Sequence, residues 1–136
     1  MSSAGTAAAK KRVPLRLKDV ETFLKKYKEA WETRNAELAA SLFTRDARYQ
    51  EDAFGEPIVG REAIHDYWKA ATERQENIHF AVKTFVRTGY LLAAEWTCTY
   101  SSAAKGGRRE LAGMFIADFY GHQVRSFREY WLSRTV

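Results

Sequence analysis

Between residues 18 and 34 the apolar side chains Val20, Phe23, Leu24, Tyr27, Ala30 and Trp31 recur at intervals of three and four, which predicts a helix with one buried face. Asn35 stands where an N-cap belongs and predicts a short second helix ending near residue 43, with Leu38, Ala39 and Leu42 inward. A short strand is expected at 47–51. Gly55 and Pro57 interrupt regular structure over 52–60 and predict a loop. A third helix follows over 61–74, its buried stripe being Ile64, Tyr67, Trp68 and Ala71. After Asn77 the pattern changes to runs rich in Val, Phe, Thr, Trp and Tyr, punctuated by glycines at 89, 106, 107 and 121. This predicts successive antiparallel strands at 78–87, 90–102, 108–119 and 123–133. Helices first and strands later make an α+β fold, since a doubly wound parallel sheet would alternate them.

Period-two alternation then separates the strand faces. Leu92, Ala94, Trp96, Cys98 and Tyr100 form one apolar set, which should face the helices. In the following strand both sets are apolar: Leu111, Gly113, Phe115, Ala117 and Phe119 on one side, Ala112, Met114 and Ile116 on the other. A sheet that is apolar on both faces needs two covers. The helices supply one, and a second copy of the chain is the simplest other, so a symmetric homodimer through the sheet is expected.

The 136 residues fit one domain, and 46% hydrophobic, 29% charged and 14% aromatic content is a globular balance. The apolar runs are far shorter than the roughly 20 residues a membrane helix needs, so no membrane partner is expected. One cysteine excludes an internal disulfide and fits a reducing compartment, which favours a cytoplasmic protein. The net charge of +5 invites a nucleic-acid reading. Its distribution argues otherwise. Of 22 Lys and Arg, four (Lys10, Lys11, Arg12 and Arg16) fall in residues 1–17, leaving 18 against the 17 acids. Residues 1–17 read as a flexible basic tail and 18–136 as the folded domain. No aromatic stacking platform accompanies the tail charges, so a solvated tail is favoured over a nucleic-acid arm.

The last strand places Phe127, Glu129 and Trp131 on one face. A carboxyl group inside an aromatic stripe, if that stripe faces the helices, is pushed toward its neutral form, as a general acid needs. Glu51 ends the first strand just before the glycine and proline loop, where a side chain can project into a cavity mouth. Tyr27, Tyr49, Trp68 and Trp96 offer rings for a planar or apolar ligand, and the tyrosines can donate hydrogen bonds. The bland alternatives are a structural partner for Glu129, a solvated strand end for Glu51 and ordinary core packing for the rings. Cys98 reads as an inert core thiol. His65, His79 and His122 belong to no motif, and paired cysteines and His/Asp clusters are missing, so no metal is expected. Phosphate loops and the GxSxG elbow are also missing. The segment from Gly106 to Arg109 reads as a hairpin turn and makes only a weak phosphate site.

Four stretches, 27–31 (YKEAW), 42–49 (LFTRDARY), 60–68 (GREAIHDYW) and 126–131 (SFREYW), together with the order of elements over residues 20–131, resemble the nuclear transport factor 2-like superfamily in its SnoaL-like and ketosteroid isomerase-like branch. The resemblance implies a cone-shaped α+β barrel: three N-terminal helices close a strongly bent antiparallel sheet around a deep pocket. It implies a range of functions from isomerases, cyclases and dehydratases to proteins without catalysis. By the same comparison Tyr27 looks like the isomerases' pocket tyrosine, and Glu51 falls where their general-base aspartate stands. Their second oxyanion acid, kept protonated in an apolar site, falls near Gly113, so an enolate here would rely on Tyr27 alone or on Glu129 from the neighbouring strand.

Two function classes are therefore expected. One is a cofactor-independent acid/base enzyme acting on a small apolar, aromatic or carbonyl compound. Its catalytic groups are Glu51, Glu129 and Tyr27, and its binding wall comprises Trp31, Tyr49, Trp68, Trp96, Phe115, Phe127 and Trp131. The other is a non-catalytic ligand-binding or assembly domain of the same fold.

Overall fold

The computed structural model describes residues 12–102, 104 and 106–136. The first helix, α1 (Leu17–Glu32), buries Val20, Phe23, Tyr27, Ala30 and Trp31 along its apolar stripe. It stops where Arg34 takes a positive φ of 54°, a conformation a helix cannot continue through. The Asn35 side chain accepts the Leu38 amide at 3.0 Å and so caps α2 (Ala36–Ser41). The chain then enters β1 (Phe43–Gln50), which begins four residues earlier than its hydrophobic pattern predicts because Phe43 pairs with Val124 across the sheet. The loop expected over 52–60 contains a further short strand, β2 (Ile58–Val59), paired with Tyr49 and Arg48. Gly60, with φ of 97°, turns the chain into α3 (Arg61–Thr72), which buries Ile64, Trp68 and Thr72.

Four long strands complete the chain: β3 (Gln75–Thr88), β4 (Leu91–Ser102), β5 (Arg108–Tyr120) and β6 (Gln123–Thr135). They form hairpins with their sequence neighbours, and the six strands lie in the order β2, β1, β6, β5, β4, β3 in one open sheet. One pairing departs from the antiparallel expectation. β1 runs parallel to β6, so the sheet is mixed. Hydrophobic alternation sets which face a strand buries and carries no information about the direction of a non-local neighbour. Register shifts at Glu76/His79, Val82/Thr84 and Asp118/Phe119 interrupt the ladders of the long strands, where bulges bend a sheet.

The inward set of β4, Leu92, Ala94, Trp96 and Cys98, is buried, as are Leu111, Phe115, Ala117 and Phe119 of β5. Tyr27 lies at the centre of the core, its ring 5.4 Å from Trp68, 5.1 Å from Phe80 and 5.4 Å from Phe115 between centroids. On the opposite face Met114, Tyr130 and Leu132 are exposed, with Leu132 80% accessible. No helix among the described residues is long and apolar enough to cross a membrane.

Within the segment expected to be a tail, residues 1–11 lie outside the described residues, whereas residues 12–16 are held by the domain. Leu15 is buried and its amide donates to Gly89 O at 2.8 Å. The Arg12 guanidinium stacks 3.9 Å above the Tyr90 ring and pairs with Asp118 at 2.8 Å, and Arg16 pairs with Asp19. Two of the four charges counted to the tail are thus already engaged.

Gly113 is fixed by a close approach. A Cβ there would stand 2.5 Å from Tyr130 O and 2.7 Å from Trp131 Cβ. Gly113→Ala is expected to force β5 from β6 and lower stability by about 1 to 3 kcal/mol, read as an earlier midpoint in urea unfolding. An unchanged midpoint would contradict this packing.

Candidate functional site

The helices do not press flat on the sheet: between α1, α3 and the strands lies a cavity of about 350 Å³, within the range of small-molecule sites. Its rings come from three elements of the fold: Tyr27 and Trp31 from α1, Tyr67 and Trp68 from α3, and Tyr49, Trp96, Tyr100 and Trp131 from the sheet. Trp131 is half-exposed at its edge, while Tyr27, Tyr49 and Trp96 are almost fully buried. Phe115 and Phe127, expected in the binding wall, are not part of the lining. They stand behind it at a ring separation of 4.9 Å, with Phe127 stacked on Tyr49 at 4.8 Å, so they shape the wall without facing the cavity.

Glu129 is the only buried acid among the described residues, 6% accessible, and lines the cavity. Its place follows from alternation along β6: Phe127 and Glu129 both point toward the helices. The Tyr49 hydroxyl donates to Glu129 Oε1 at 3.1 Å, linking two strands whose Cα register sets Tyr49 beside Phe127. Burial pushes the Glu129 carboxyl up to about 8; repulsion from Glu51 acts in the same direction, and the Tyr49 hydrogen bond offsets only part of the effect. The phenols are raised in turn. Burial is the first cause for Tyr27, Tyr49 and Tyr67, and the charge of Glu129 is the second. Near neutral pH the site is a protonated carboxyl surrounded by hydroxyls that keep their protons.

Glu51 takes a different position. The strand ends at Gln50, so the inward side of the alternation stops at Tyr49, and Glu51 lies in the bend that follows, half-exposed. It lines a second, open groove of about 920 Å³ on the other face of the sheet, beside Met114, Tyr130 and Leu132. Glu129 and Trp131 border both spaces. Glu51 and Glu129 thus meet at the border of the open groove and feel each other's charge, while only Glu129 also lines the inner cavity.

Several lining residues lie outside the sequence-derived site. Tyr67 sits in the α3 stripe, whose spacing predicts a core position. Arg109 and Ser133 belong to the inward sets of β5 and β6, which continue past Leu111 and Trp131. Gln75 at the start of β3 accepts the Trp31 indole N–H at 2.8 Å. By contrast the indole N–H groups of Trp68 and Trp96, both buried, have no acceptor among the described residues. Cys98 is a buried free thiol pushed up to about 12 by its burial, which removes it as a nucleophile. No three His, Cys, Asp or Glu side chains gather as metal donors among the described residues.

A profile of the SnoaL-like domain matches residues 24–127. No curated protein matches the chain. Solved structures match over most of their length. A protein with a ketosteroid isomerase-like fold from Catenulispora acidiphila DSM 44928, in complex with trimethylamine, is 20% identical, with 79% of this chain and 83% of that one covered at a TM-score of 0.72. A candidate SnoaL-like polyketide cyclase from Jannaschia sp. CCS1 is 15% identical, with 90% of each chain covered and a TM-score of 0.76. An epoxide hydrolase of the LEH-like type from M. tuberculosis is 11% identical, with 85% and 84% covered and a TM-score of 0.70. At such identities these neighbours establish shape alone. With helices on one face of a six-stranded sheet, a cavity between them and a family profile spanning most of the folded residues, this chain belongs to the SnoaL-like domain family, of nuclear transport factor 2-like fold.

Proposed function

We propose that the protein is a small-molecule pocket enzyme that moves protons with its own side chains, by isomerisation, ring closure or water elimination on an apolar or aromatic carbonyl compound. The observation that carries this reading is Glu129: a buried carboxyl, hydrogen-bonded by Tyr49, in the wall of an aromatic cavity. With one oxygen engaged by Tyr49, the other gives its proton to a substrate oxygen as charge develops there. Tyr27 holds that oxygen while Tyr49, its one hydroxyl proton engaged by Glu129, fixes the acid in place; Glu51, which borders the open groove together with Glu129, accepts a proton from a substrate that reaches that border or relays it to solvent. The trimethylamine complex of the Catenulispora neighbour supports small-molecule occupancy of this fold.

The experiment is exchange of α-protons into deuterium oxide, followed by NMR across a panel of cyclic ketones and β-dicarbonyls. Exchange that depends on Glu129 supports the enzyme. A panel in which ligands stabilise the protein and none exchanges supports the second reading, a non-catalytic binding domain, which is favoured by the fact that only one of the two acids lines the cavity.

The homodimer is part of the same proposal. Met114, Tyr130 and Leu132 are apolar, exposed and adjacent in the sheet register, and a second copy laid on them gives this face its cover. Leu132→Glu is expected to convert a dimer to a monomer in analytical ultracentrifugation at micromolar concentration. A wild type that sediments as a monomer would reject the dimer. The lone, buried cysteine supports cytoplasmic residence.

A further inference from the structure

Among the described residues the cavity lining holds one cation, Arg109, and one carboxyl group, Glu129. The Trp68 and Trp96 indole N–H groups are buried behind that lining with no acceptor among the described residues. Arg109, half-buried at the end of the lining, carries five N–H donors and spends two on hydroxyls, Thr135 Oγ1 at 3.0 Å and Ser133 Oγ at 2.7 Å. Its neighbours are committed elsewhere: Glu110 pairs with Arg134, and Arg108 bonds to Thr99 and Ser101. Among the described residues Arg109 has no carboxylate partner, although it lines the same cavity as Glu129.

The geometry points to an aromatic carboxylic acid as the ligand of this cavity, its carboxylate on Arg109 and its far end on the Glu129 and Tyr49 pair. Arg109 supplies a charged fork suited to a carboxylate. Ser133, which Arg109 touches, lies four residues beyond Glu129 on β6, or about 13 Å at the usual strand rise. The guanidinium is held at Ser133 and Thr135, so this span stands between it and Glu129; a two-ring planar body with a hydrogen bond at each end bridges it, and the aromatic walls accept such a body face-on or edge-on. The inner end is a neutral acid and a phenol, which repel no anion, whereas a cationic ligand would have to pass Arg109 at the edge.

This inference rests on the reading of the cavity as a ligand site, and three matched probes separate the two. Isothermal titration calorimetry on the full chain would compare 6-hydroxy-2-naphthoate, its neutral carboxamide and the corresponding naphthylmethylammonium ion. The acid is expected to bind most tightly, with an affinity that falls as salt rises. Arg109→Gln should weaken the acid about 10- to 100-fold and leave the carboxamide within twofold, while Arg109→Lys restores part of the loss. Melting temperatures of the variants near wild type confirm that the fold is kept, since among the described residues Arg109 bonds to two exposed hydroxyls, those of Thr135 and Ser133. If the carboxamide or the ammonium binds as well as the acid, or if Arg109→Gln weakens all three alike, the anion inference fails and the cavity reading survives. If none binds at millimolar concentration, both fail.

Discussion

Between pH 5 and pH 9 the wild-type protein is expected to lose roughly 3 to 5 kcal/mol of folding stability that the Glu129→Gln variant does not lose. Glu129 is raised by burial to about 8 in the folded chain, against 4.5 for an ordinary glutamate. Below 4.5 both states hold the proton. Between 4.5 and 8 the folded state holds it and the unfolded state does not, so unfolding releases a proton and each pH unit favours unfolding by about 1.4 kcal/mol. Above 8 both states are ionised and the slope vanishes. Asp19, Glu32, Glu37 and Asp118 are lowered by their partners, so their contributions are lost on acidification, below this window. His65, raised by its bonds to Glu37 and Asp66, destabilises in the same direction as pH rises, but it is present in both proteins and cancels in the difference. Urea unfolding of both proteins at five pH values gives the answer. Parallel curves would mean that Glu129 is not held neutral.

The second large effect is on catalysis. If Glu129 donates the proton, Glu129→Gln should lower turnover of an exchange-active ketone by about 10²- to 10⁴-fold, the usual worth of a positioned acid. Glutamine keeps an acceptor for the Tyr49 hydroxyl and has no acidic proton, so packing persists while the chemistry stops. The wild-type rate should fall tenfold per unit above pH 8, and the residual rate of the variant should lack that limb. Full activity in the variant assigns the proton transfer to another group, with Glu51 the first to replace by glutamine.

How far the sequence reaches can be seen at single residues. The helical stripe ending in Tyr27 and Trp31 and the alternation of Phe127 with Glu129 are local periodicities, and both correctly locate inward side chains. Glu51 marks the limit. Whether a residue at a strand end continues the alternation depends on where the ladder stops, and it stops at Gln50 because the chain turns toward β2. The parallel pairing of β1 with β6 joins segments about eighty residues apart, beyond any local pattern. Arg109 was legible as an inward position of β5, two residues before Leu111, but its hairpin neighbours drew it toward a turn reading. The cavity itself has no sequence signature, since the same rings could have filled it.

The central claim is that one carboxyl in this chain stays protonated at neutral pH inside the aromatic cavity. It is tested most directly by ¹³C NMR of side-chain-labelled glutamate titrated from pH 3 to pH 10. A single carboxyl resonance with a midpoint near 8 is expected, absent from Glu129→Gln. A wild-type spectrum in which every glutamate titrates below pH 6 would contradict it.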